Sequence, residues 1–163
     1  MKTNNKGFTM VELIVVMLII GIITVIVGLT ISTSTSARAE GTASSVNALI
    51  SKCRAGCLSK TGNVYLTLAV DNGSLVCRYY ENDILVSTDT FEANGIAVSV
   101  STMLNGPPTT RALTATPFRL SFNRSTGAQT PQSDGSNCTA LKFTGGRTYT
   151  VELVPSTGSH RLL

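Results

Sequence analysis

Residues 8–31 read FTMVELIVVMLIIGIITVIVGLTI. Between Leu13 and Ile31 no side chain is charged, and Thr24 and Thr30 are the only polar ones. A helix over those residues is roughly 28 Å long at about 1.5 Å per residue, close to the ~30 Å hydrocarbon core of a bilayer. Almost every face of it is apolar, so its surroundings must be apolar all round. The remainder of a 163-residue chain is too small to enclose it. A bilayer span is the economical reading; a central core helix would need a larger soluble domain around it.

The flanks refine that reading. Residues 1–7, MKTNNKG, carry Lys2 and Lys6 and no acid, which holds this end on the cytoplasmic side by the positive-inside rule. An ordinary secretory signal peptide fits poorly. Its apolar region is about 7–15 residues long, and here only Ala37 and Ala39 imitate a cleavage site. The apolar stretch also contains Glu12. A charge inside a membrane segment costs about 2.5–3.5 kcal/mol at the centre and less near the edge. No basic residue between Gly7 and Arg38 is available to pair with it.

Composition narrows the function classes. Charged residues make up 13% and hydrophobic ones 42%, with a mean hydropathy of +0.23, which excludes a charge-rich disordered tail protein. Tryptophan is absent and His160 is the single histidine, leaving little material for a histidine zinc site or a Ser-His-Asp triad. No nucleophile–base–orienter set is visible, so the chain is not expected to be an enzyme, and no cofactor or metal is expected.

Residues 6–13, Lys-Gly-Phe-Thr-Met-Val-Glu-Leu, closely resemble the processing site of type IV prepilins and type II secretion pseudopilins. They depart from the commonest version, GFTLIEL, only at Met10 and Val11. The resemblance implies that a prepilin peptidase cuts after Gly7, that Phe8 becomes an N-methylated mature terminus, and that the apolar segment stays attached. That segment would serve first as anchor and then as the packing core of a filament. Glu12 would match the glutamate at the fifth mature position. The physics agrees: at ~4 Å and an effective dielectric near 20, a neighbour's terminal amine and Glu12 gain roughly 4 kcal/mol before desolvation. A partner that arrives with the next subunit turns a buried-charge penalty into an assembly preference.

Past Ile31, Ala39, Ala43, Val46, Ile50, Cys53 and Cys57 recur at steps of four and three, one helical face, with Leu49 widening it. The helix is expected from about Thr9 to Lys60, ending near Gly62-Asn63. Strands are expected around 64–70, 75–81, 84–87, 96–100, 118–122, 138–144, 147–154 and 159–162. They are punctuated by Asp71-Asn72-Gly73, Glu81-Asn82-Asp83, a loop at Asn105-Gly106-Pro107-Pro108 and the Gly145-Gly146 turn. The fold class is α+β: a long N-terminal α-helix, part transmembrane and part amphipathic, packed on an antiparallel β-sheet domain as in pilins. The expected organisation is a leader at 1–7, a transmembrane and polymerisation helix at 8–31, its amphipathic continuation at 32–62, and a β domain at 63–163. Strand order and two Thr-Gly turns, within FRLSFNRSTG and YTVELVPSTGSHR, resemble the GspH/FimT subgroup of pseudopilins and minor pilins.

Cys53, Cys57, Cys77 and Cys138 lie in the part expected outside the cytoplasm, where disulfides form. Bridging Cys53 to Cys57 inside an intact helix strains the required geometry. Helix-to-sheet bridges are preferred, one of the pair reaching Cys77 and the other Cys138. Unbridged thiols under the helix are the alternative, and a zinc site built from all four cysteines fits no standard ligand spacing.

The formal charge is +4. Acids cluster at 71–92, whereas Arg111, Arg119, Arg124, Lys142, Arg147 and Arg161 make the C-terminal part basic. Those six are candidate nucleic-acid contacts, since cations meet phosphates without sequence readout. A solvated face, or subunit pairing with the acidic block, is the plainer reading. His160 is expected to be exposed. The expected function is structural: a minor pilin or pseudopilin in the cytoplasmic membrane with its globular part outside. Its expected partners are other pilins or pseudopilins, a prepilin peptidase, an inner-membrane assembly platform and membrane lipid. The alternative is a DNA-binding minor pilin of a competence or DNA-uptake pilus.

Overall fold

A computed structural model describes residues 9–163, leaving aside the side chains of residues 26–33. Among the described residues one helix and nine strands form, with α1 at Met10–Ser59. The chain divides into two compact units, Met1–Ser34 and Thr35–Leu163.

In the first unit, every described side chain from Thr9 to Val25 is exposed, including the bulky apolar ones from Met10 onward. Among the described residues no helix is long and apolar enough to cross a membrane. The expected span 8–31 begins before and ends beyond the side chains that are described.

The second unit carries the core. Ala39, Ala43, Val46, Ile50 and Cys53 are fully buried and Cys57 nearly so, and Leu49 packs partly against them. The apolar stripe read at steps of four and three is therefore the face of α1 that packs on the sheets. Burial of such a stripe, not helix propensity, holds this stretch helical.

Strands β1 (Val64–Asp71), β2 (Ser74–Glu81), β3 (Ile84–Glu92) and β6 (Phe118–Leu120) form one sheet in the order β3-β2-β1-β6. Strands β4 (Ala97–Met103), β5 (Thr109–Ala112), β7 (Asn137–Gly145), β8 (Arg147–Val154) and β9 (Ser159–Leu162) form a second, in the order β5-β4-β7-β8-β9. All pairings are antiparallel. The first two hairpins close on two-residue loops with positive φ at both positions, Asn72-Gly73 and Asn82-Asp83, the geometry that matches strand twist.

Two strand readings are corrected. β3 runs to Glu92 and not to Ser87, because Ser74 to Tyr79 of β2 offer it a continuous ladder beyond a bulge. β5 lies where no strand was expected; Thr109-Thr110-Arg111-Ala112 is exposed and has no apolar alternation, and pairing with β4 alone makes it a strand.

The two Thr-Gly turns pack together. A Cβ on Gly158 (φ +65°) would sit 2.0 Å from the Gly127 carbonyl oxygen, so only glycine admits the contact. Arg54 of α1 covers the turns and donates from Nη2 to the Thr157 carbonyl at 3.1 Å. His160 is half-buried rather than exposed, its Nε2 2.7 Å from the Ser51 hydroxyl.

Candidate functional site

The expected processing residues Gly7 and Phe8 lie outside the described residues. Glu12 lies in the first turn of α1. Its backbone amide donates to the Thr9 hydroxyl at 3.3 Å, and the Leu13 amide reaches the Thr9 carbonyl at 3.3 Å. Thr9 is thus the N-cap, and Thr-Met-Val-Glu has the spacing of a capping box. The reciprocal half is open: among the described residues the exposed Glu12 carboxylate has neither hydrogen bond nor ion pair. A carboxylate at this end of a helix faces the positive pole of the macrodipole. The cap was legible as Thr followed three positions later by Glu, a signal the sequence reading passed over.

The four cysteines are free thiols, all buried. None of the expected bridges to Cys77 or Cys138 is formed, and the unbridged arrangement is the one observed. Cys57 Sγ donates to the Val64 carbonyl of β1 at 3.2 Å, and Cys53 Sγ lies 3.7 Å from the Leu120 carbonyl of β6. Cys138, in the other sheet, turns toward the Ala140 carbonyl of its own strand. Cys53 and Cys57 lie one turn apart on the same helical face; their mutual interaction and burial raise the Cys53 thiol, and the same interaction lowers Cys57 to about 7. Burial pushes Cys77 and Cys138 up to about 12.

The six basic residues do not converge. Arg111 is on edge strand β5 with its guanidinium 5.9 Å from the Phe118 ring centre, Lys142 is on inner strand β7, and Arg147 opens β8. Arg161 on edge strand β9 is paired with Glu152 at 2.8 Å. Arg119 and Arg124 do share a surface. They line a cleft of about 530 Å³ together with Cys57, Val64, Ser121 and Gln132. Among the described residues no acidic side chain lines it. The Arg119 guanidinium sits 3.8 Å above the Tyr65 ring, which stacks on Tyr80 with centroids 4.8 Å apart. Gln132 Nε2 donates to the Arg119 carbonyl at 2.5 Å, fixing the loop against β6. Sequence spacing gave no sign of this cleft, because its walls come from the end of α1, from β1, from β6 and from the loop at 121–133.

Residues 2–28 match the family model described as the prokaryotic N-terminal methylation motif. No curated protein and no solved structure matches the chain. The motif match supports a type IV pilin-like, membrane-anchored structural subunit, one whose leader is cleaved by a prepilin peptidase and which assembles with other pilins.

Proposed function

We propose that this chain is a minor pilin or pseudopilin of a type IV pilus or a type II secretion-type filament. It is held in the cytoplasmic membrane by residues 8–31, with the β domain outside. A prepilin peptidase cuts between Gly7 and Phe8, and the new Phe8 amine is methylated. An inner-membrane platform then passes the subunit into the filament, where Glu12 meets the amine of a neighbour. The observation that carries this reading is the exposed apolar surface of α1 from Met10 to Val25, behind a free Glu12 carboxylate and within the matched motif. An apolar rod exposed along its whole length needs lipid or other such rods around it.

The test is co-expression with a prepilin peptidase followed by mass spectrometry of the intact chain. The expected product begins at a methylated Phe8; an unshortened chain, or another first residue, refutes the reading. A second reading, a DNA-binding minor pilin, draws support from the Arg119–Tyr65–Tyr80 stack beside Arg124, a cation and ring faces such as single strands use. Its measure is salt-dependent retention of DNA by the full chain, weakened by Arg119→Gln and Arg124→Gln.

A further inference from the structure

The chain carries three Asn-Gly pairs, Asn72-Gly73, Asn94-Gly95 and Asn105-Gly106. In such a pair the glycine nitrogen can reach the side-chain amide of the asparagine, since no Cβ shields it. All six residues are exposed, so access to water does not separate the pairs. Their hydrogen bonding does. We propose that Asn105 is a site of spontaneous deamidation, with water as the co-reactant, and that the fold protects Asn72 and Asn94 from the same reaction.

The attack requires the peptide plane to rotate about the asparagine Cα–C bond until the next nitrogen faces the side-chain carbon. At Asn72 a hairpin opposes that rotation. Asn72 and Gly73 have φ of 48° and 73° in a two-residue loop, and Asp71 and Ser74 close it as a ladder pair. The Gly73 carbonyl also accepts from the Ala93 amide at 2.9 Å. At Asn94 a second turn opposes it. The Ile96 amide donates to the Ala93 carbonyl at 2.9 Å, and Gly95 is held at φ +77° between them. The Asn94 Oδ1 lies 2.6 Å from the place a Cβ on Gly73 would take, so this side chain rests on the first turn. The two turns brace each other, and reaction at either asparagine must first open bonded structure.

Asn105 lacks every one of these restraints. Residues 104–107 bend between β4 and β5 without a turn hydrogen bond, and among the described residues neither Asn105 nor Gly106 is hydrogen-bonded. The β4–β5 ladder ends at Thr102 and Thr109, so the Asn105 peptide turns without breaking a strand pair. Nothing lies within 4 Å of a Cβ added to Gly106.

The reaction balances without oxidation or reduction. Gly106 N loses its proton and bonds to Asn105 Cγ; the Cγ–Nδ2 bond breaks, and ammonia leaves with that proton. Water then opens the succinimide ring. Cleavage of the new bond gives aspartate, and cleavage of the original peptide bond gives isoaspartate. Residues 93–110 hold no charged side chain. The product therefore places a first carboxylate in that stretch, beside the exposed Met103 and Leu104. An aged subunit differs from a new one in the charge of this hairpin.

The experiment incubates the full chain in detergent, in heavy-oxygen water at neutral and mildly alkaline pH, and maps the labelled peptides by mass spectrometry. Label should enter at Asn105 about tenfold or more faster than at Asn72 or Asn94, a barrier difference of about 1.4 kcal/mol. It should enter faster at the higher pH, because the attacking nitrogen must lose its proton. In chain unfolded by urea the three sites should react at similar rates. Asn105→Gln should abolish labelling there, and Gly106→Val, placed in open space, should slow it severalfold. Denaturation midpoints check that both variants fold. An Asn105 that stays unlabelled in folded protein, an Asn72 or Asn94 that labels as fast, or the same ranking in urea would overturn the proposal.

Discussion

The Glu12 amide donates to the Thr9 hydroxyl at 3.3 Å, so the residue whose carboxylate is proposed to recognise a neighbouring subunit also takes part, through its backbone, in a helix cap. The cap uses the backbone of Glu12 and leaves its carboxylate free. The two roles can therefore be separated by mutation.

Thr9→Ala should loosen the first turn of α1 by about 0.5–2 kcal/mol, the usual value of such a cap, and only mildly reduce incorporation into the filament. Glu12→Gln keeps the amide and removes the charge. It should leave the leader cleaved normally and cut incorporation about tenfold or more, since close interfacial charge pairs couple by about 1.5 kcal/mol upward. Sheared-filament yield at matched cellular protein levels measures both.

Two glycines should respond with opposite sign. Gly41 lies in α1 with nothing within 4 Å of an added Cβ, so Gly41→Ala should stabilise by up to about 1 kcal/mol through helix propensity. Gly158→Ala places a methyl against the Gly127 carbonyl in a left-handed backbone, and should destabilise by about 1–3 kcal/mol or more. Denaturant titration of the full chain in detergent distinguishes them.

Core truncation should cost more than either. Ile50 is fully buried at the centre of the helix stripe, and Ile50→Ala should lose about 2–5 kcal/mol. By contrast, Glu152→Gln, which breaks the exposed pair with Arg161, should change stability by less than about 1 kcal/mol.

Acid should weaken the fold through Glu81 and Asp134. Lys60 hydrogen-bonds and pairs with the Glu81 carboxylate, and Ser136 bonds to Asp134; each holds its carboxyl below the ordinary range. A depressed carboxyl adds stability above its unfolded pKa, and that stability is lost as pH falls through the folded one. The denaturation midpoint should be flat from about pH 6 to 5 and fall below about pH 4. Glu81→Gln should flatten part of that fall.

The thiols should separate by pH as well. Cys57 faces Cys53 on its own helix and Tyr79 from β2, and it lines the cleft with Arg119 from β6 and Arg124 from the following loop. Alkylation of folded protein by neutral iodoacetamide should rise with a midpoint near pH 7 at Cys57, while Cys77 and Cys138, pushed up to about 12, stay unreacted until the chain unfolds.

Elements whose signal is periodic or local were legible before any tertiary contact was known. The Ala39-to-Cys57 stripe marked the buried helix face residue by residue. Asn72-Gly73 marked a hairpin because only certain residues accept positive φ. Residues 6–13 marked the N-terminal methylation motif because such a motif is a linear string, and they lie within the matched residues 2–28. The capping function of Thr9 was equally local.

The rest arose from juxtaposition across long sequence separations. β5 is a strand because β4 supplies its hydrogen bonds, and the division into two sheets depends on which edges meet. The cysteines are thiols under the helix, since Cys53 and Cys57 turn toward carbonyls of one sheet while Cys138 sits in the other. Composition alone determined that this chain owns an apolar rod and a basic C-terminal part. Only packing decided that two of its arginines and one of its cysteines border the same cleft, because side-chain direction depends on register, and register is set by the whole sheet.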